Sequence, residues 1–315
     1  MCNTPLFTGC AAALVTPMTP DGDLDETALR RLLAMQLDAG MDAVAVLGTT
    51  GEPCTLDFGE RERVIAVAVE VCGGRMPVIV GTGSNDTKRA VAYAKQAQAL
   101  GADGQLCVTP YYNKATQDGL LRHYGAVLDA CALPAILYNV PSRTGMSIAP
   151  QTAAELAVHP NTAGLKEASG DLTLASQIAE RTNGRLPLYS GCDELTPPLM
   201  AIGAVGAISV AANVAPAQAR QVTQACLEGR FDDAQKAQRA LSPLIRALFS
   251  QVSPIPAKAA LSMMGLCEDA LRLPLTPMEE PHRAQLLAVL KRMGLIKSDG
   301  VSSLLPASVH GGSEG

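Results

Sequence analysis

Aromatic and charged residues are scarce in this chain of 315 residues, which has no tryptophan, four phenylalanines and 17% charged residues. So few aromatic rings leave little surface on which nucleic acid bases could stack. The formal net charge of -5 and the lack of a long basic run also argue against nucleic acid or an anionic membrane as a partner. No apolar run approaches the ~20 residues that a membrane helix needs, so we expect no membrane contact.

Metal-binding and disulfide patterns are missing as well. The nine cysteines include no CxxC pair, which argues against a disulfide framework or a structural zinc site. The four histidines do not end any predicted strand, so we expect neither a catalytic metal nor a Ser/His/Asp triad. The chain begins without a basic region followed by an apolar stretch, which predicts a cytoplasmic protein in a reducing compartment.

Short apolar runs alternate with stretches of helical spacing about eight times. Most of these runs are continuously apolar, as in parallel strands covered on both faces. They lie at 10–15, 43–47, 77–80, 105–108, 134–137, 163–165, 186–189 and 206–210. The pattern predicts an α/β fold, a (β/α)8 TIM barrel over residues 1–229, with an open doubly wound sheet as the alternative. The absence of a GxGxxG motif between strand and helix favours the barrel.

Strand signals stop after about residue 215, and the rest of the chain has the spacing of helices. We predict helices at 216–227, 231–252, 256–264 and 281–293. The last three of these define a C-terminal helical extension, residues 230–297, as a second domain. The last segment, residues 298–315, is rich in Ser and Gly and is predicted to be a disordered tail.

Lys166 ends one of the apolar runs, within TAGLKEASG at 162–170. Burial disfavours a charged ammonium, and a neutral amine in a dry pocket attacks carbonyls to form a Schiff base. Taken alone, the segment favours a simpler interpretation, in which the lysine stem packs and the ammonium reaches water. Lys114 is the rival nucleophile, but it lies past its strand among polar neighbours and is expected to be exposed.

Polar segments follow other predicted strands, at the end where TIM barrels carry their active sites. In GTTGE at 48–52, Thr49 and Thr50 could hold a small carboxylate, although an ordinary turn explains them better in isolation. In YNVPSRTG at 138–145, Tyr138 could move a proton, or be a packed tyrosine with a bonded hydroxyl. Arg143 could bind a second carboxylate through its fork, or be a solvated loop arginine.

Four motifs in this order, GTTGE, TPYYN at 109–113, YNVPSRTG and GLKEASG at 164–170, resemble the dihydrodipicolinate synthase family over residues 6–296. The resemblance implies that Lys166 forms a Schiff base with pyruvate. It also assigns roles to Thr50 (pyruvate carboxylate), Tyr138 (proton transfer), Thr49 and Tyr112 (proton relay), Arg143 (aldehyde substrate), and Gly191 and Ile208 (pyruvate pocket). In the family, the tyrosine that matches Tyr112 comes from a neighbouring subunit.

The family resemblance also implies an activity. Its members are lyases that condense pyruvate with L-aspartate 4-semialdehyde to 4-hydroxy-tetrahydrodipicolinate, in diaminopimelate and lysine biosynthesis. No cofactor is expected, because the protonated imine is itself the electron sink, and a homotetramer built as a dimer of dimers is expected. Two alternatives remain: a related pyruvate-dependent aldolase or dehydratase acting on a sugar acid, and a non-catalytic barrel with a binding or regulatory role.

Some positions depart from the family pattern. Relatives inhibited by lysine have an allosteric site that Tyr111 and Asn85 match, whereas Pro53, Phe58, Arg61 and Arg89 replace Ser, His, His and Glu. A cation at position 89 would repel the ligand's ammonium, so we expect weak or absent inhibition by lysine. The SGCD segment at 190–193 also differs from the usual SGDD or SGND.

Overall fold

Eight parallel strands form a closed barrel in a computed structural model that describes residues 4–297. Each strand pairs with the next one along the chain, and the last pairs with the first. The strands are β1 Gly9–Ala13, β2 Ala43–Val46, β3 Val78–Gly81, β4 Gly104–Val108, β5 Ala135–Asn139, β6 Thr162–Glu167, β7 Leu188–Ser190 and β8 Gly206–Ser209. The barrel prediction is confirmed, and the open sheet is excluded.

The predicted strand ends differ from the observed ones mainly where polar residues continue the pairing. Strand β5 extends through Tyr138 to Asn139, and β6 extends through Lys166 to Glu167. The apolar runs predicted shorter strands because backbone hydrogen bonding continues past the last apolar side chain.

Helices follow the strands and pack outside them. They are α1 Glu26–Asp38, α2 Phe58–Cys72, α3 Thr87–Ala99, α4 Gln117–Asp129, α5 Pro141–Thr144, α6 Pro150–Leu156, α7 Leu172–Thr182 and α8 Thr196–Ala201. Helix α2 begins with a capping box, in which Asp57 and Glu60 each accept from the other's backbone N–H. Such a cap fixes the residue at which the preceding polar loop ends, and so restricts the conformations of that loop at the mouth of the barrel.

Strands β1 and β2 contribute alanines to the barrel interior, among them Ala11, Ala13 and Ala43, and these small side chains leave room for larger ones from other segments. Phe7, which precedes β1, stacks on Tyr189 with ring centroids 4.6 Å apart. The Tyr189 hydroxyl donates to the Phe7 carbonyl over 2.9 Å. These two rings fill the amino-terminal part of the barrel, so its open end is the one that carries the polar loops.

Helix α9 Pro216–Leu227 follows β8, and three helices then form the C-terminal extension: α10 Phe231–Leu248, α11 Ile255–Met263 and α12 Glu280–Arg292. The prediction of one helix over 231–252 was wrong at its end. Helix α10 stops at Leu248, and the N–H and hydroxyl of Ser250 both donate to the Ala247 carbonyl, a local bonding pattern by which serine competes with the helix. No described helix combines the length and apolarity needed to cross a membrane. The predicted tail, 298–315, lies outside the described residues.

Candidate active site

Tyr138 and Lys166 lie side by side near the carboxyl ends of β5 and β6. They are register partners in the parallel pairing of these strands. Lys166 Nζ lies 4.4 Å from the centroid of the Tyr138 ring. The two residues are 6% and 5% exposed. An amine and a phenol are therefore held together in a site that excludes most water, where either group can exchange a proton with a bound molecule.

The next residues along the same two strands, Asn139 and Glu167, form a second pair. Asn139 Nδ2 donates to Glu167 Oε2 over 2.8 Å, and the Ser169 N–H donates to Glu167 Oε1. Burial raises the pKa of Glu167, and the hydrogen bonds from Ser169 and Asn139 oppose that shift. Because strand residues alternate between faces, this outer pair aligns the strands that carry Tyr138 and Lys166. Both residues lie within the YNVPSRTG and GLKEASG motifs, but no role was predicted for either from the sequence.

Gly191 lies directly against Lys166. A Cβ at this position would stand 2.9 Å from Lys166 Cε and 2.6 Å from Ala168 Cβ, closer than carbon atoms normally approach. Ile208 is buried inside the barrel, in the same apolar cluster as Tyr138. Gly191 is therefore next to Lys166, and Ile208 shares an apolar cluster with Tyr138.

The SGCD segment places an acid and a thiol near the lysine. Asp193 is buried, and its Oδ2 accepts from the N–H groups of Val210 and Ala211, which joins the segment after β7 to the segment after β8. Burial raises the pKa of Asp193. Burial also raises the pKa of Cys192, and the nearby Lys166 opposes that shift. By accepting these two backbone hydrogen bonds, the Asp193 side chain holds together the two loops near Lys166.

A cavity of about 460 Å³ opens beside Tyr138, and its lining includes Thr49, Tyr138 and Arg143 but not Lys166. Thr49 lies in the single turn Thr49–Gly51, and Thr50 in the same turn is buried. The Thr16 hydroxyl donates to the Gly51 carbonyl over 2.8 Å and ties this turn to the segment after β1. The turn after β2 thereby brings Thr49 to the cavity, whereas Thr50 is buried in the turn and does not contribute to the lining.

The C-terminal extension forms one wall of the same cavity. Val252, Ser253, Pro254, Pro274 and Leu275 contribute to the lining. Arg143 donates from one guanidinium nitrogen to the Ser253 carbonyl over 3.2 Å. This wall was not predicted from the sequence, because helical periodicity does not indicate which loop will reach the barrel mouth.

Four residues form the possible allosteric set, Asn85, Arg89, Tyr111 and Arg61, and all except Asn85 line this cavity too. Arg61 is 1% exposed, donates to the Gly81 carbonyl over 2.7 Å and stacks over the Tyr93 ring at 3.7 Å. Burial lowers the pKa of Arg61 to about 10. Asn85, the fourth residue, accepts from the Asn113 side chain through its backbone carbonyl. Positive charge therefore dominates this part of the cavity.

Tyr112, within the TPYYN motif, and Lys114, directly after it, do not line the cavity. Tyr112 is 92% exposed, has a left-handed φ of 70° and does not contribute to the lining within the described chain. Lys114 is exposed, as predicted, and its Cε would lie 2.8 Å from a Cβ at Gly145. Lys114 thus packs on a loop rather than at a strand end. No group of three or more potential metal ligands occurs within residues 4–297.

A closed (β/α)8 barrel with a buried lysine and tyrosine paired at its mouth defines the class of lysine-dependent barrel enzymes. Within that class, the chain belongs to the dihydrodipicolinate synthetase family, whose model matches residues 6–293. The match confirms the resemblance that the four motifs indicated.

Individual relatives agree with the family match along nearly the whole chain. The chain is 46% identical over 291 residues to the 4-hydroxy-tetrahydrodipicolinate synthase of Pelobacter propionicus, covering 92% of this chain and 100% of that one. The dihydrodipicolinate synthase structure from Thermotoga maritima shares 42% identity at a TM-score of 0.90, covering 92% and 100% of the two chains. A chloride-inhibited synthase from Acinetobacter baumannii, complexed with pyruvate, shares 42% identity at a TM-score of 0.90, with 92% and 99% covered.

Proposed function

We propose that this chain is a 4-hydroxy-tetrahydrodipicolinate synthase, condensing pyruvate with L-aspartate 4-semialdehyde on the route to diaminopimelate and lysine. The observation that carries the proposal is the buried pair Tyr138 and Lys166, with Nζ 4.4 Å from the ring centroid. The family match and the pyruvate complex of the A. baumannii relative support it.

The first half of the reaction is imine formation. Lys166 Nζ attacks the pyruvate carbonyl carbon, and the carbonyl oxygen leaves as water after accepting protons through Tyr138. The hydroxyl and backbone N–H of Thr50 bind the pyruvate carboxylate, while Gly191 and Ile208 bound the pocket. Thr49 and Tyr112 complete the proton relay of Tyr138. Loss of a proton from the methyl group then converts the imine to an enamine, with the protonated imine nitrogen accepting the electron pair.

The second half is carbon–carbon bond formation. The enamine carbon attacks the aldehyde of aspartate semialdehyde, whose carboxylate Arg143 binds through its guanidinium fork. The substrate's own amine then attacks the imine carbon, which closes the ring and releases Lys166. No cofactor enters these steps.

Borohydride trapping tests the first half. The protein is incubated with pyruvate and borohydride, and the reduced N-carboxyethyl lysine is located by mass spectrometry. We expect it on Lys166, absent in Lys166→Ala and retained in the matched control Lys114→Ala. A full-strength adduct on Lys166→Ala would contradict the assignment. Consumption of aspartate semialdehyde in a coupled assay then separates the synthase from an aldolase acting on sugar acids.

The role of Tyr112 implies an assembly, which we propose is a homotetramer built from two dimers. An exposed tyrosine absent from the cavity of its own chain can serve a neighbouring chain instead. Mixing inactive Lys166→Ala with slow Tyr112→Phe chains tests this, because a mixed dimer has one site with both wild-type residues. Recovery of activity on mixing is expected, and no recovery in demonstrably mixed oligomers would refute the role in trans.

A further inference from the structure

Glu52 and Lys258 form a buried ion pair that the proposed chemistry does not use. Lys258 Nζ lies 2.5 Å from Glu52 Oε1, and the two side chains are 0% and 2% exposed. Every other ion pair within residues 4–297 has both side chains at least 16% exposed. The same Nζ donates to the Ala270 carbonyl over 2.7 Å.

A buried ion pair is weak evidence for a contribution to stability. Removing two charges from water costs several kcal/mol per ion, and apolar residues of similar volume often serve a fold as well. The location of the pair is therefore more informative than its strength. Glu52 is the last residue of the GTTGE motif, and Lys258 lies in α11 of the C-terminal extension.

The backbone of Glu52 has an unfavourable conformation. Its φ of 51° and ψ of 43° are left-handed, a region that residues other than glycine seldom occupy. Glu52 ends the turn Thr49–Gly51, its N–H donates to the Thr49 carbonyl, and it begins the turn Pro53–Thr55. Holding Glu52 in place therefore fixes the turn that presents Thr49 and Thr50.

We propose that the Glu52–Lys258 pair positions the turn that binds the pyruvate carboxylate, so that the C-terminal extension orients this part of the active site. This inference rests on the proposed function of Thr50. Glu52 and Lys258 are positioning residues, since they act through the turn that carries Thr49 and Thr50, although Glu52 also contributes to the cavity lining. The arrangement also connects two parts of the extension, because the Arg272 N–H lies 3.4 Å from Glu52 Oε2.

The test is a neutral double variant, Glu52→Gln with Lys258→Met, which removes both charges and leaves no uncompensated ion. We expect the KM for pyruvate to rise by about tenfold, below the ~10²-fold that a misplacement of about 1 Å can cause. The KM for aspartate semialdehyde should change less than about twofold, because Arg143 is on a different loop. In the matched control, Arg283→Met breaks the Arg283–Asp269 pair inside the extension and should leave both KM values unchanged.

The outcomes separate this inference from the proposed function. If the wild-type protein forms no pyruvate adduct, the proposed function itself is refuted, whatever the double variant does. If the wild type forms it and the double variant keeps the wild-type KM for pyruvate, the positioning role is refuted. If the double variant does not fold, Glu52→Asp replaces it. The shorter side chain keeps the negative charge, but it can reach Lys258 only if the Thr49–Gly51 turn moves, and otherwise the ion pair is lost. An unchanged pyruvate KM in Glu52→Asp likewise refutes the proposal, and a raised one supports it.

Discussion

Replacing Gly191 by alanine tests how tightly the site holds Lys166. The added methyl carbon would lie 2.9 Å from Lys166 Cε, 2.6 Å from Ala168 Cβ and 3.1 Å from the Glu167 carbonyl oxygen. Carbon atoms prefer separations of about 3.5 to 4.0 Å, so Cε would have to yield by roughly 0.6 to 1 Å. Gly191 does not have a positive φ, so backbone strain adds nothing to this contact.

The effect of Gly191→Ala on rate and stability depends on which neighbour of the added methyl group moves. Overpacking a core position costs about 1 to 3 kcal/mol of unfolding free energy. The lysine stem is the more flexible neighbour, and a shift of about 1 Å in a reacting group can slow a reaction by ~10²-fold. We therefore expect the rate of pyruvate adduct formation to fall about a hundredfold, with a moderate loss of stability.

Single-turnover borohydride trapping with pyruvate measures this rate, and urea denaturation measures the stability. Gly125→Ala is the matched control, since a Cβ there meets nothing within 4 Å and the residue lies inside α4. It should trap pyruvate at the wild-type rate and gain up to about 1 kcal/mol from helix propensity. A Gly191→Ala protein that traps pyruvate at the wild-type rate would refute the argument that this glycine makes room for Lys166.

Four further outcomes are expected. Tyr138→Phe should retain pyruvate binding and lower kcat by ~10²-fold, as loss of one proton-transfer group does; an unchanged kcat would remove Tyr138 from the mechanism. Arg143→Ala should chiefly raise the KM for aspartate semialdehyde, and a change confined to the pyruvate KM would show that the two subsites are misassigned. Lysine should inhibit weakly or not at all, because Arg89 adds positive charge to the cavity, whereas saturable inhibition at sub-millimolar lysine would contradict this charge argument. The hydrogen bond from Arg272 lowers the pKa of Glu60 in the folded protein below its value of about 4.5 in the unfolded chain. The pair therefore stabilises the fold at pH values above about 4.5, and this stabilisation is lost as the pH falls through the folded-state pKa of Glu60. The difference in unfolding free energy between wild type and Arg272→Met should therefore shrink from pH 7 to pH 3 in urea titrations, and an equal difference at both values would exclude the charge contribution.

The amino-acid sequence by itself determined the architecture and the chemical class of the site. Most of the eight short runs are continuously apolar, which is typical of strands covered on both faces, and the helical stretches between them predict a parallel sheet that the structure shows to be a closed barrel. Lys166 at the end of one run, with polar motifs at the ends of others, predicted that the candidate reactive groups share one mouth of the barrel. These features can be predicted from short segments of sequence, because the spacing of apolar residues and the turn residues indicate how each segment is buried.

The tertiary structure alone decided which of these residues meet. The β5–β6 register sets Tyr138 beside Lys166, and a one-residue slip would turn one of them outward. Glu52 and Lys258 are more than two hundred residues apart along the chain, and only the packing of α11 on the barrel brings their charges together. The same packing puts Ser253 beside Arg143. Such contacts depend on the closure of the whole barrel and the docking of the extension, which no local pattern of residues encodes.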